Sequence, residues 1–252
     1  MFKNYFLRNT NDEQTPKILE SAQAWLGYTQ QAGGRSVFGE RTGHDGRPWN
    51  GSFIDVVFFD AGLEIPSCVQ TGSGLAEFIR DGRVVKTPRP GDIAFMVTGT
   101  DDVFGMPHVG LVADTSRFEM AGLVGTIEGG VNSGLPKSDP SVRGVFRRVR
   151  SVHEVLAFCR PGTGYKKQTG GLGINADSVR PARRNKNIGR VQLALKLVCG
   201  LHGEVTDAFD TPTQQAYAHW QRILGYADRA TGVPDNASLK KLGERTGVFF
   251  LD

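Results

Sequence analysis

Trp49-Asn50-Gly51-Ser52-Phe53-Ile54-Asp55-Val56-Val57-Phe58-Phe59-Asp60-Ala61-Gly62 is the stretch on which the fold turns. From Phe53 to Phe59 it is apolar at nearly every position, which in a helix means burial on all sides at the centre of a domain. Asn50, whose side chain can accept from unpaired backbone N–H groups, suits the first turn of that helix as its N-cap, and Gly62 suits its end. A strand could share this composition, but the length and the punctuation at both ends favour helix.

Upstream, Thr15 as N-cap and Pro16 at the first helical position precede Ile18, Leu19, Ala22, Trp25 and Leu26 at helical spacing, with Gly27 as the stop. A glycine-rich loop through Gly33, Gly34, Gly39, Gly43 and Gly46 then leads to Pro48-Trp49. Downstream, a short helix is predicted over 74–80, with Leu75, Phe78 and Ile79 on one side and Ser73 as its cap. The pattern then changes to β. Runs at 93–97, 109–112, 126–127, 145–149 and 155–158 are each bounded by Gly, Pro, Asp or Ser. Helices first and strands later predict an α+β region with an antiparallel sheet over 1–160.

Residues 161–186 are rich in Gly, Lys and Arg and predict an exposed linker. A small all-α, three-helix domain is expected over 187–252. Ile188, Val191, Leu195 and Val198 share one helical face, Thr211-Pro212 opens a second helix with Ala216, Trp220, Ile223 and Leu224, and Leu239 and Leu242 mark a third.

At 252 residues, with 39% apolar and 22% charged residues, the chain has the composition of a soluble two-domain protein. No window approaches the roughly 18 uninterrupted apolar residues of a membrane span, so membrane insertion is not expected. Met1 to Asn9 lacks the apolar stretch of a secretory signal. Of the net charge of +4, the local source is 161–186, where Lys166, Lys167, Arg180, Arg183, Arg184 and Lys186 face only Asp177. Such a tether can stay solvated or contact a polyanion; specific nucleic-acid binding is not expected, because only Tyr165 could stack on bases. Cys68, Cys159 and Cys199 form no CxxC pair and are read as small hydrophobes. His44, His153, His202 and His219 have no metal-ligand spacing with one another, so neither metal nor cofactor is expected.

Several short motifs share one order: Ala24-Trp25-Leu26-Gly27-Tyr28, Pro48-Trp49 with Phe53, Ala61-Gly62, Pro90-Gly91-Asp92-Ile93, His108-Val109-Gly110-Leu111-Val112, and Ile127-Glu128-Gly129. Over residues 15–160 this order resembles the papain-like cysteine, histidine-dependent amidohydrolase/peptidase (CHAP) family. The resemblance implies a thiolate at a helix N-terminus, where the helix dipole and a histidine lower its pKa, and a third group that orients the imidazole. His108 matches the general base and Glu128 the orienting group. Asn50 stands where the nucleophilic cysteine is expected, and a carboxamide is not a nucleophile for an amide. Trp49 would line the substrate cleft.

Residues 187–245 resemble the three-helix peptidoglycan-binding domain of many lysins, through Val191-Gln192-Leu193-Ala194-Leu195, Asp210-Thr211-Pro212-Thr213-Gln214-Gln215-Ala216, Trp220-Gln221-Arg222 and Gly232-Val233-Pro234-Asp235. Asp207-Ala208-Phe209-Asp210 departs from that pattern. The resemblance implies a shallow groove with aromatic platforms and polar partners, for which Asp210, Thr213, Gln214, Tyr217 and Trp220 are the candidates, with helix-core packing the stronger alternative for Trp220.

Together these imply a bacteriophage-type protein with a catalytically degenerate CHAP-like domain and a module that binds bacterial peptidoglycan. It would sit in a virion beside other virion proteins, or in the host cytoplasm before lysis, and act at the cell wall. The alternative is an active amidase or endopeptidase using Ser52 or Cys68 with His108 and Glu128. A third reading is a particle assembly protein that uses both folds only as packing surfaces.

Overall fold

The computed structural model describes residues 14–98, 106–133, 142–162, 173–199, 201 and 205–252. Met1 to Asn9, Tyr165, Lys166, Lys167 and His202 lie outside the described residues.

The first region opens with four helices: α1 (Gln14–Ala24), α2 (Val37–Thr42), α3 (Asn50–Asp60) and α4 (Thr71–Arg80). Strands follow as β1 (Val84–Val85), β2 (Ile93–Thr98), β3 (Met106–Asp114), β4 (Leu123–Val131), β5 (Gly144–Ser151) and β6 (Val155–Cys159), with a short α5 (Phe118–Ala121) before β4. They form one six-stranded sheet in the order β1-β6-β2-β3-β4-β5, antiparallel at every pairing. The architecture is therefore α+β, and each of the five strand runs expected from the sequence lies in this sheet.

Helix α3 is the central element. Phe53, Ile54, Val57 and Phe58 are fully buried, packed between α1, α2 and the β3–β4 face of the sheet. Gly62, at φ +76°, follows its end as expected. Phe59 is the exception to all-round burial, at 74% exposed. Alternation along the strands sends Ile93, Phe95, Val109, Leu111 and Ile127 into the core shared with the helices. Ala94, Met96, Val112, Val124 and Phe158 form a smaller cluster on the other face. His108 and Glu128 fall in this second register.

Three local expectations are corrected. Helix α2 occupies part of the predicted glycine-rich loop: Ser36 caps it by accepting from Gly39 N, and Gly43 closes it in the left-handed region. Helix α4 begins at Thr71, not Gly74, and Ser73 is no cap, because its hydroxyl donates to Gly247 O at 2.5 Å. Asn50 is the first helical residue of α3, and the N-cap position belongs to Trp49, whose side chain makes no capping bond.

The C-terminal region holds β7 (Gly173–Ile174), α6 (Lys186–Cys199), α7 (Thr211–Ile223), α8 (Asn236–Thr246) and β8 (Phe250–Leu251). It is not purely helical, since β7 and β8 pair in parallel and Arg184 bridges Ala208. The second half of the expected linker is folded: Ile174 and Val179 are buried in the core. That core runs without interruption from α1 to Phe249. The join is tight at Gly72 of α4, where an added Cβ would lie 1.9 Å from the Thr246 carbonyl oxygen.

Candidate functional site

The site is assembled around the start of α3 and the adjoining parts of β3 and β4. Gly129 and Gly130 let β4 approach the helix closely. A Cβ at Gly129 would lie 2.5 Å from Phe53 Cβ, and one at Gly130, where φ is +72°, would lie 3.4 Å from Asn50 N. The β4–β5 register shifts between Glu128 and Val131, at this contact.

On the neighbouring strand His108 Nε2 donates to Glu128 Oε2 at 2.7 Å. Arg150 on β5 donates from Nη2 to the same oxygen at 2.6 Å and from Nε to Oε1 at 2.8 Å. Thr126 Oγ1 donates to Oε1 at 2.5 Å. Two oxygens thus accept four bonds, which fills the carboxylate's lone-pair sites. Gly110 makes room for this arrangement, since a Cβ there would lie 2.7 Å from Glu128 Cγ.

Glu128 is fully buried. Burial alone would raise its carboxyl, but the hydrogen bonds and charges of Arg150 and His108 outweigh that and hold it down at about 2. An ionised carboxylate only accepts, so the His108 proton facing it sits on Nε2. In the neutral ring Nδ1 is then the acceptor.

Asn50 and His108 line one cleft of about 640 Å³, bounded also by Gln30, Arg47, Pro48, Trp49, Arg143, Arg148 and Arg150. The structure therefore brings Trp49, Asn50 and His108 together, with Glu128 behind the imidazole. Asn50 Oδ1 accepts from Thr71 Oγ1 at 3.4 Å. Trp49 is a fixed wall, because its ring stacks on Phe38 at 5.1 Å and its Nε1 donates to Gln30 Oε1 at 2.9 Å.

Neither alternative nucleophile reaches this cleft. Ser52 is buried and accepts from Thr42 Oγ1 at 2.8 Å, so its hydroxyl belongs to the α2–α3 contact. Cys68 approaches the start of α3 through its carbonyl, which lies 1.8 Å from where a Gly51 Cβ would be. Its thiol is buried with Sγ 3.6 Å from Pro66 O, and burial pushes it well above the ordinary thiol range.

The five candidates of the C-terminal region do not form a surface groove. Tyr217 is fully buried and its hydroxyl pairs with Ser238 Oγ at 2.9 Å, while Trp220 is also buried and donates to Ser238 O at 3.0 Å. Thr213 is buried and bonded to Gln192, and Asp210 caps α7 by accepting from Thr213 N at 3.0 Å. Gln214 Nε2 donates to Thr231 O at 3.2 Å. These groups hold the helices together. Tyr217→Phe, which deletes one buried hydroxyl while Asp235 still bonds Ser238, is expected to cost about 1 kcal/mol in urea unfolding.

Sequence reasoning missed the arginines. Arg150 lies 22 residues from Glu128 in the chain, and only strand alternation, which places Arg148 and Arg150 on one face, hinted at it. Among the described residues no His, Cys, Asp and Glu cluster could hold a metal ion, and no helix is long and apolar enough to cross a membrane.

No protein-family model matches the chain, and no curated protein matches it. A crystal structure from Staphylococcus aureus subsp. aureus Mu50, described as similar to a lipoprotein of the NLP/P60 family, is similar at 15% identity with a TM-score of 0.35. The similarity covers 62% of this chain and 44% of that one, so the chain spans less than half the length of that protein. A likeness of this extent assigns neither family nor activity.

Proposed function

We propose that this chain is a papain-like, cell-wall-directed protein that grips peptidoglycan in the cleft at α3 and does not cut it. The observation that carries the reading is the company Asn50 keeps. It lines the same cleft as an imidazole anchored by Glu128 and Arg150, at the helix start that the CHAP resemblance assigns to a thiolate, while Ser52 and Cys68 are committed elsewhere. An oriented base without a nucleophile keeps the shape of a peptide cleft and lacks the group that attacks. Residues 187–252 contribute packing against α4 in this reading, since Thr213, Tyr217 and Trp220 lie inside the fold and Asp210 serves as the cap of α7.

The direct test is sedimentation with purified bacterial walls. Pelleting of the protein without release of new amino groups supports the reading. Clearing of wall turbidity that His108→Ala abolishes would overturn it in favour of a hydrolase.

Asn50→Cys probes the geometry separately. A thiol at this helix start beside His108 is expected to ionise below the usual range of about 8.5 and to react with iodoacetamide at pH 7 about tenfold faster than in Asn50→Cys/His108→Ala. The native thiols give a quiet background: burial raises Cys68 and Cys159, and pushes Cys199 up to about 12. Equal rates in the two variants would mean that position 50 and the imidazole do not work together.

A further inference from the structure

The cleft carries a charge pattern that a general peptide site does not require. Arg47, Arg143, Arg148 and Arg150 all line it, and among the described residues no Asp or Glu does. Arg150 is neutralised by Glu128, with Glu154 3.5 Å from its other nitrogen. Among the described residues Arg148 is held only by neutral oxygens: those of Asn132, and the backbone carbonyls of Ser133 and Arg147 at 3.4 and 2.8 Å. Its guanidinium keeps its place without losing its charge. Burial lowers Arg148 from its ordinary value, and repulsion from Arg150 adds to that against the pull of Glu128. Arg47 and Arg143 are exposed, and among the described residues neither has a carboxylate within ion-pair distance. The Arg143 backbone is pinned, because its carbonyl accepts from Gln30 N at 2.8 Å.

Three cations thus face one concave wall with no counter-charge on it among the described residues. A low-dielectric cleft of one sign concentrates its field on a ligand of the other sign, and planar guanidinium forks match carboxylate and phosphate oxygens two at a time. We propose that this cleft is an oxyanion-recognition site, in which Arg47 and Arg143 take a carboxylate or phosphate group of a wall polymer and Arg148 supplies a fixed positive floor. The source of the oxyanion rests on the wall-directed reading above; the site itself rests on the arginines.

The test measures fluorescence polarisation with three labelled probes: a soluble wall stem peptide with free carboxylates, the same peptide amidated, and a glycerol-phosphate oligomer. The free acid is expected to bind about tenfold or more tightly than its amidated form, as one charge-assisted bond of about 1.5 kcal/mol or more requires. Arg47→Ala/Arg143→Ala should lose a similar factor with an unchanged melting temperature, both side chains being exposed. Binding should weaken as NaCl rises from about 50 to about 500 mM. Tighter binding of the glycerol-phosphate oligomer supports the site and assigns its ligand as phosphate. Equal binding of the amidated peptide, no effect of the double variant, or equally tight binding of single-stranded DNA would overturn it. The two proposals fail separately. Walls that pellet the double variant as well as the wild type end this one alone, whereas arginine-dependent binding of the free-acid peptide without wall pelleting ends the wall-directed reading alone.

Discussion

Glu128→Ala is expected to lower the free energy of unfolding by about 3 to 5 kcal/mol, the loss typical of removing one partner from a buried ion pair. The reason lies in what the carboxylate holds. Arg150, whose side chain is 16% exposed, would lose its bidentate partner, and His108 and Thr126 would each lose an acceptor. The surface pair of Arg41 and Asp60 provides the contrast, with both side chains 32% exposed. Asp60→Ala should cost under about 1 kcal/mol.

The pH dependence has a definite sign. The Glu128 carboxyl falls from an ordinary 4.5 to about 2 in the folded protein. A depressed carboxyl stabilises the fold above its unfolded value and loses that contribution as pH drops through its folded value. The difference is worth roughly 3 kcal/mol. Urea unfolding should therefore show the gap between wild type and Glu128→Ala at full size above pH about 4.5, narrowing towards pH about 2. A gap independent of pH would show that the charge of Glu128 does not hold this site together.

Gly72→Ala is expected to cost about 3 kcal/mol, at the upper end for an added methyl in a close-packed interior. The new Cβ would meet a backbone oxygen, Thr246 O at 1.9 Å, and Leu197 Cδ1 at 3.3 Å. A carbonyl at a helix end cannot rotate away as a side chain can, so α8 and α4 must separate. Ser73 Oγ to Gly247 O would open with them. Calorimetry should show a lower melting temperature, with the C-terminal region losing its cooperativity with the rest. A variant that melts as one unit at the wild-type temperature would rule out Gly72 as the point of closest fit.

Helix α3 and the sheet were legible in the sequence because their signals are local. Seven residues from Phe53 to Phe59 are apolar at six positions, and the strand runs are punctuated by turn residues. His108 and Glu128 came from the shared order of motifs, and the structure places them in direct contact. Long-range pairing was not legible. β7 and β8 are two residues each and lie at opposite ends of the C-terminal region, and Arg150 reaches Glu128 only through the β4–β5 register. Tyr217 was misread, and Trp220 takes the core position that was its stronger alternative, because aromatic residues three apart on a helix look the same whether they face a ligand or a core. Their polar tips both bond to Ser238, which is how a buried Tyr or Trp satisfies its hydrogen-bonding group.

β5 closes the sheet, and among the described residues only its first two residues are covered, where Tyr28 and Gly27 bond Val145 and Thr29 bridges Gly144. Among the described residues nothing pairs with the rest of this edge, which bears Arg147, Arg148 and Arg150. Two copies brought edge to edge would set these cations against each other. Arg148, which lines the cleft, and Arg147 beside it therefore also discourage such pairing, and replacing both should raise the tendency of copies to join edge to edge.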